Sequence, residues 1–167
     1  NKVILQSLNF DDVIQKIADT IPNELYFDTG IVAIIERFSQ TIKRIGVSSN
    51  WETHYLLKDL TASFKKIGIS LDDQSNYMAN AVRENKSLVT DNLYDILRPV
   101  LTEKQAHDLQ DVIGTKTAMT YPIYGSMATA IGVFVAGTKK KKEQLSNYEL
   151  AIIQNFVDGV GIAMEHS

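Results

Sequence analysis

Two apolar runs decide the fold: Thr117-Ala118-Met119-Thr120-Tyr121-Pro122-Ile123 and, after a short interruption, Ile131-Gly132-Val133-Phe134-Val135. Runs of this length, rich in β-branched and aromatic residues and bounded by turn residues, read as strands. Lys116 to Tyr124 and Met127 to Gly137 therefore form a predicted hairpin, joined through Gly125-Ser126 as a two-residue turn of the glycine-first type. Pro122 has no amide proton to give, so a bulge or an unpaired position is expected there. Thr117, Met119 and Tyr121 alternate onto one face of their strand. Downstream, the charge run Lys139 to Lys142 reads as a solvated loop, and Ser146-Asn147-Tyr148-Glu149 is a capping-box match. The long helix it opens carries Ile152, Ile153, Phe156, Val157, Val160, Ala163 and Met164.

Working outward, Gly30 to Glu36 is a continuous apolar strand that needs cover on both faces and so belongs near the centre of its sheet. Phe38-Ser39-Gln40 connects it to a second strand, Thr41 to Ser48. Ahead of these, Asn9 caps a helix with Asp11 and Asp12 in its first turn, an apolar stripe of Phe10, Val13, Ile14, Ile17 and Ile21, and Pro22 as its stop. The middle third predicts a short helix over 51–60, an edge strand over 64–69 and a helix from Asp72 or Asp73 to about Lys86, with Met78, Ala81 and Val82 inward. A brief buried strand, Ser87 to Thr90, precedes a helical turn that starts after Asp91 and stops at Pro99. Thr102-Glu103-Lys104-Gln105 is another capping box, with Ala106, Leu109, Val112 and Ile113 on one face.

The 167 residues suit one domain, with no internal repeat or low-complexity linker. There is no cysteine, which removes disulfides, thiolate metal sites and thiol nucleophiles from this segment. A net charge of −3 offers no basic field for nucleic acid. No apolar run is long enough for a membrane span, and the N-terminus is no signal peptide, so a cytoplasmic setting is expected, with no membrane partner for this segment. The chain does not begin with Met and is read as a domain of a longer protein.

This order of elements resembles the GAF domain, a small-molecule sensing module of signalling proteins. The resemblance runs from about Phe10 to His166. It rests on the leading helix to Ile21-Pro22, the strand Gly30–Glu36, and Arg83-Glu84-Asn85-Lys86-Ser87-Leu88-Val89-Thr90-Asp91. The hairpin quoted above and Leu145-Ser146-Asn147-Tyr148-Glu149-Leu150 complete it. It implies an α+β fold: an antiparallel sheet of about six strands, terminal helices packed on one face, and shorter helices closing a pocket on the other. Residues 1–167 form one such domain, with 1–8 as a lead-in linker helix and 145–166 as an exit helix leading to an output module. The implied function is a cytoplasmic sensory domain in which a bound small molecule signals through the terminal helices. A sensor histidine kinase of a two-component system is the implied parent, ahead of a cyclic-di-nucleotide enzyme or a transcription regulator. A homodimer through the terminal helices is implied too. The alternative of another class is a structural dimerisation module with no ligand.

Cyclic-nucleotide-binding members carry an Asn-Lys pair, then Phe and an Asp-Glu pair; here Thr138-Lys139, Leu145 and Glu149-Leu150 stand in those places, so that specificity is not carried over. A bilin attached through a cysteine of the domain is excluded, and members that reduce methionine sulfoxide need cysteine chemistry as well. His54, His107 and His166 have no metal-ligand spacing, and His107 falls off the apolar stripe of its helix, so haem is not expected. No catalytic motif is present, and Asp11-Asp12 and Asp72-Asp73 are explained as helix-start acids, so no enzymatic activity is expected of this segment. The candidate ligand-binding residues are polar or aromatic groups among apolar neighbours: Tyr77, Thr90, Asp91, Tyr94, Arg98, Thr117, Met119 and Tyr121. Tyr77 and Tyr94 also suit a core role with hydroxyls at the rim. Arg98 precedes Pro99, which turns its backbone away from helix and frees its guanidinium for solvent or an anion.

Overall fold

In a computed structural model of the chain, residues 9–51 and 59–166 are described. The lead-in segment 1–8, His54 and most of the predicted 51–60 helix lie outside the described residues. Helix α1 (Phe10–Glu24) starts as its sequence dictates: the Asn9 side chain accepts the Asp12 amide at 2.9 Å, with Asp11 and Asp12 in the first turn. It does not stop at Pro22 but runs two residues further, because proline in the last turn forfeits only one internal bond. Its buried stripe of Ile14, Ile17, Ala18 and Ile21 lies on the sheet.

The sheet holds β1 (Thr29–Glu36), β2 (Thr41–Val47), β3 (Ile69–Ser70), β4 (Leu88–Thr90), β5 (Thr117–Tyr124) and β6 (Ala130–Thr138). The order is β3-β2-β1-β6-β5-β4, antiparallel throughout, which puts the apolar β1 inside the sheet as expected. Between the strands lie α2 (Leu60–Lys66), α3 (Tyr77–Glu84), α4 (Tyr94–Leu97) and α5 (Glu103–Ile113); α6 (Asn147–Glu165) closes the chain. Each face of the sheet carries its own core. One unites α1 and α6 with Val32, Met119, Tyr121, Ile123 and Phe134. The other unites α2 to α5 with Ile31, Ala33, Ala118, Val133 and Val135. The architecture is α+β, terminal helices on one face and shorter helices on the other.

Register fixes which side chains face which layer. Val32 and Tyr121 both stand opposite Phe134, so the three form one row under the terminal helices. Ile31 and Thr120 both stand opposite Val135, on the other face. Both predicted capping boxes close: Gln105 and Thr102 cap α5, and Glu149 and Ser146 cap α6.

Several expectations need correction. The β5–β6 connection is five residues, 125–129, and the irregularity in β5 falls between Ile123 and Tyr124, with Pro122 paired opposite Val133. Residues 64–66 end α2, which leaves a two-residue β3. Helix α3 begins at Tyr77 under an Asn76 cap rather than at Asp72 or Asp73, and Asn85 ends it in the left-handed region at φ 53°. The brief strand β4 is a sheet edge with Val89 exposed, and Val112 is turned to solvent, off the buried face of α5. On α6, Ile153, Val157, Val160 and Met164 meet the sheet. Phe156 packs on Phe134 at 5.5 Å between ring centroids, so the outward apolar residues of the helix's second half are Ile162 and its neighbour Ala163.

Candidate functional site

Four adjacent strands end in threonine at the same edge of the sheet: Thr29 of β1, Thr138 of β6, Thr117 of β5 and Thr90 of β4. All four are buried, and a fifth, Thr115, lies beside them. Their hydroxyls hold the loops that leave the sheet there. Thr117 Oγ1 donates to the Lys140 carbonyl at 2.8 Å, Thr138 Oγ1 accepts the Lys140 amide at 3.2 Å, and Thr90 Oγ1 donates to Asp95 Oδ2 at 2.6 Å. Gln110 of α5 completes the frame: its Oε1 accepts the Leu93 amide at 2.8 Å, and its Nε2 donates to the carbonyls of Asp91 at 2.7 Å and Thr115 at 3.0 Å.

Above this frame opens a cleft of about 960 Å³, walled by the ends of β4 and β5, helices α4 and α5, and the β6–α6 loop. Its charged groups are Asp91, Asp95, Asp111 and Glu143 against Lys116, Lys141 and Lys142. The space expected between the sheet and the middle helices is, by contrast, nearly filled. Leu60, Leu93, Leu97, Leu109, Ala118 and Val135 leave about 20 Å³ there, room for one water at most. The open volume has moved from beneath the helices to the sheet's end.

Of the predicted site residues, Tyr77, Thr90, Asp91 and Thr117 meet in the cleft. Tyr94 and Arg98 do not line it; the Arg98 guanidinium stacks 4.8 Å from the centroid of the partly buried Tyr94 ring, which occupies it with a cation–π contact. Met119 and Tyr121 are misplaced by the sequence reading. They share a face, as alternation requires, but it is the face under α1 and α6, because Phe134 stands opposite Tyr121 and Ala136 opposite Met119. The cleft groups that sequence reasoning missed are Asp95, Gln110, Lys116, Lys141 and Lys142. The lysine run was visible only as charge, and nothing local brings it beside the end of β4.

His107 is exposed on α5 and His166 exposed at the end of α6. Among the described residues no cluster of three or more His, Asp or Glu side chains is placed to hold a metal ion. Among the residues described, no helix is long and apolar enough to cross a membrane.

Burial of Tyr121 has a measurable consequence. Its hydroxyl meets the Met119 sulfur at 3.6 Å, and burial pushes the phenol up from 10.0 to about 12. Between those values the unfolded chain releases a proton that the native chain keeps, so stability falls as pH rises. Tyr121→Phe should therefore match the parent at pH 8 and gain about 1.4 kcal/mol on it at pH 11, read from urea midpoints at both pH values. An equal alkaline loss in both proteins would refute this.

The cleft is also joined to the exit helix. Lys140, held through its backbone by Thr117 and Thr138, pairs through Nζ with Glu149 Oε2 at 2.8 Å in the first turn of α6. That hydrogen bond, then the Ser146 amide, holds the Glu149 carboxyl below its usual range. Glu149 thus pairs with Lys140, while the Lys139 amide donates to Asp28 Oδ2 at 2.7 Å.

No family model and no curated protein sequence matches the chain. Solved structures do. A GAF domain of a two-component sensor histidine kinase from Bacillus halodurans is similar at 18% identity and TM-score 0.62, over 95% of each chain. Residues 122 to 287 of a methyl-accepting chemotaxis protein are similar at 14% identity and TM-score 0.66, over 98% of this chain and 94% of that one. A free methionine-R-sulfoxide reductase from Neisseria meningitidis, solved with its substrate, is similar at 8% identity and TM-score 0.60, over 99% of this chain and 84% of that one. Sensory modules and an enzyme thus share one architecture, and with its antiparallel six-strand sheet between terminal and middle helices, the fold of this chain is the GAF fold.

Proposed function

We propose that this chain is a sensory domain of a signalling protein that binds a small molecule in the cleft at the sheet's end and relays its presence through α6 to an output module. The observation that carries this reading is the Thr117–Lys140–Glu149 connection. A cleft wall and the first turn of the exit helix share one hydrogen-bonded path, so a ligand that moves the β6–α6 loop moves the helix. A histidine kinase of a two-component system is the output the reading favours, in a cytoplasmic setting, because solved neighbours of this fold include a sensor kinase domain. This reading assigns no chemistry to the domain itself: the Thr90 hydroxyl, which donates to Asp95 in the cleft and accepts the Asn92 amide, is read as holding the turn after β4.

A second reading, a dimerisation module without ligand, is favoured by one observation, the filled space of about 20 Å³ under the middle helices. Its interface would be the outward face of α6 at Ile162. The two readings part in one experiment. Native mass spectrometry of the purified chain, with hydrogen exchange read over 147–165 in the presence of metabolite pools, is expected to show a bound small molecule and slower exchange at the start of α6. A dimer that retains no molecule and whose α6 exchange no pool alters would establish the second reading instead.

A further inference from the structure

Sulfur is scarce in this chain and almost everywhere shielded. There is no cysteine, and three of the four methionines are buried: Met78 is 0%, Met119 2% and Met164 4% exposed. Met127 is 67% exposed. It stands in the middle of the 125–129 connection between β5 and β6, at the end of the sheet opposite the cleft. That connection is also where the last turns of α6 meet the sheet. Gly161 lies so close to the Tyr124 carbonyl and the Gly125 amide that a Cβ there has no room, and a Cβ at Gly125 would strike the Glu165 side chain. One residue further on, the Ser126 amide donates to both carboxylate oxygens of Glu165 at 3.0 Å. Glu165 is the last residue of α6, so this clasp fixes the helix terminus to the connection, and Met127 is its immediate neighbour in the chain.

Oxidation of a thioether follows access, since a buried sulfur reacts only when the structure around it opens. From the one exposed sulfur and the clasp beside it we infer that Met127 is a modification site for two-electron oxidants of the peroxide class, and that its sulfoxide releases the end of α6. In the step, a lone pair on Met127 Sδ forms a bond to one peroxide oxygen as the O–O bond breaks. Sulfur gives up two electrons and becomes the sulfoxide; the other oxygen takes the proton of the transferred hydroxyl and leaves as water. The product replaces a weakly accepting sulfur with a polar, strongly accepting oxygen. Set one residue from the clasp, that oxygen competes with Glu165 for the amides of the connection. The exit helix thereby receives a second input at its far end, one that stands whether or not the cleft holds a ligand. Methionine sulfoxide reductases return the sulfoxide to the thioether, so the mark is reversible.

The test treats the whole folded chain with hydrogen peroxide and follows it by peptide-mapping mass spectrometry and hydrogen exchange. Met127 is expected to gain one oxygen at least about tenfold faster than Met78, Met119 or Met164, whose sulfurs wait for opening. Once it has done so, exchange at Ser126 and over 162–165 should quicken about tenfold, the worth of one hydrogen bond to a charged group. Met127→Leu, at an exposed side chain, should take up no oxygen in the fast phase and keep the parent's slow exchange in peroxide. Glu165→Ala, also at an exposed side chain, should exchange fast over the same residues before any peroxide is added and gain little more afterwards. A methionine sulfoxide reductase with a thiol should restore slow exchange to the oxidised parent. Oxidation of the buried methionines as fast as Met127 would overturn the inference. So would an oxidised Met127 with unchanged exchange over 125–129 and 162–165, or peroxide-quickened exchange in Met127→Leu.

Discussion

Asn76→Ala should lower the stability of the domain by about 3 kcal/mol or more, the sum of a lost cap and of buried polar groups left without partners. Asn76 is fully buried. Its Oδ1 accepts the amides of Met78 at 2.8 Å and Ala79 at 3.1 Å, and its Nδ2 donates to the carbonyls of Ile96 and Arg98, both at 2.8 Å. One side chain thus starts α3 and ties it to the end of α4. In a domain of this size the loss corresponds to a fall in Tm of roughly 6–12 °C. Asn76→Ser separates the two roles: it keeps an oxygen for the cap, loses both donors, and should fall between parent and alanine variant. An alanine variant within about 1 kcal/mol of the parent would show that water replaces all four bonds.

The second large effect contrasts two glycines two residues apart in α6. A Cβ at Gly161 would press on the Tyr124 carbonyl and come within 2.9 Å of the Gly125 amide nitrogen, whereas a Cβ at Gly159 meets nothing within 4 Å. The same substitution therefore has opposite signs. Gly161→Ala should cost about 1–3 kcal/mol, because the helix must lift from backbone that cannot yield. Gly159→Ala should add up to about 1 kcal/mol, the difference in helix propensity. Urea midpoints of the two variants give the comparison directly, and equal shifts would mean that α6 does not dock on β5 at Gly161.

These two sites also mark where sequence stops being legible. The caps of α1, α5 and α6 are local patterns, three residues from cap to partner, and each was readable in full. The start of α3 was not. Asp72, Asp73 and Asn76 are all acceptable caps, and the choice falls to the residue that also finds the carbonyls of Ile96 and Arg98, about twenty residues away. Alternation placed Thr117, Met119 and Tyr121 together but could not say on which face, because both faces of this sheet are apolar and only the pairing with β6 distinguishes them. The five-residue β5–β6 connection was hidden for a similar reason. Met127 has strand character, while the Ser126 amide is instead claimed by both carboxylate oxygens of Glu165 at 3.0 Å. The cleft was only half visible, since Thr90, Asp91 and Thr117 mark strand ends whereas Lys141 and Lys142 reach it only through the topology.

The sheet ends in β3, two residues long, on one side and β4, three residues long, on the other. A free edge recruits another chain by offering a row of unpaired amides and carbonyls, and a typical strand of about five or six residues presents enough of them to hold one. Neither outermost strand here is that long, so β3 and β4 are themselves poor templates for strand addition, whether by a partner or by a misfolded copy. Among the described residues, β2 beyond Ile42 and β5 beyond Thr120 pair with a strand on one side only, and in β5 Pro122 withholds one of the amides that a further strand would need.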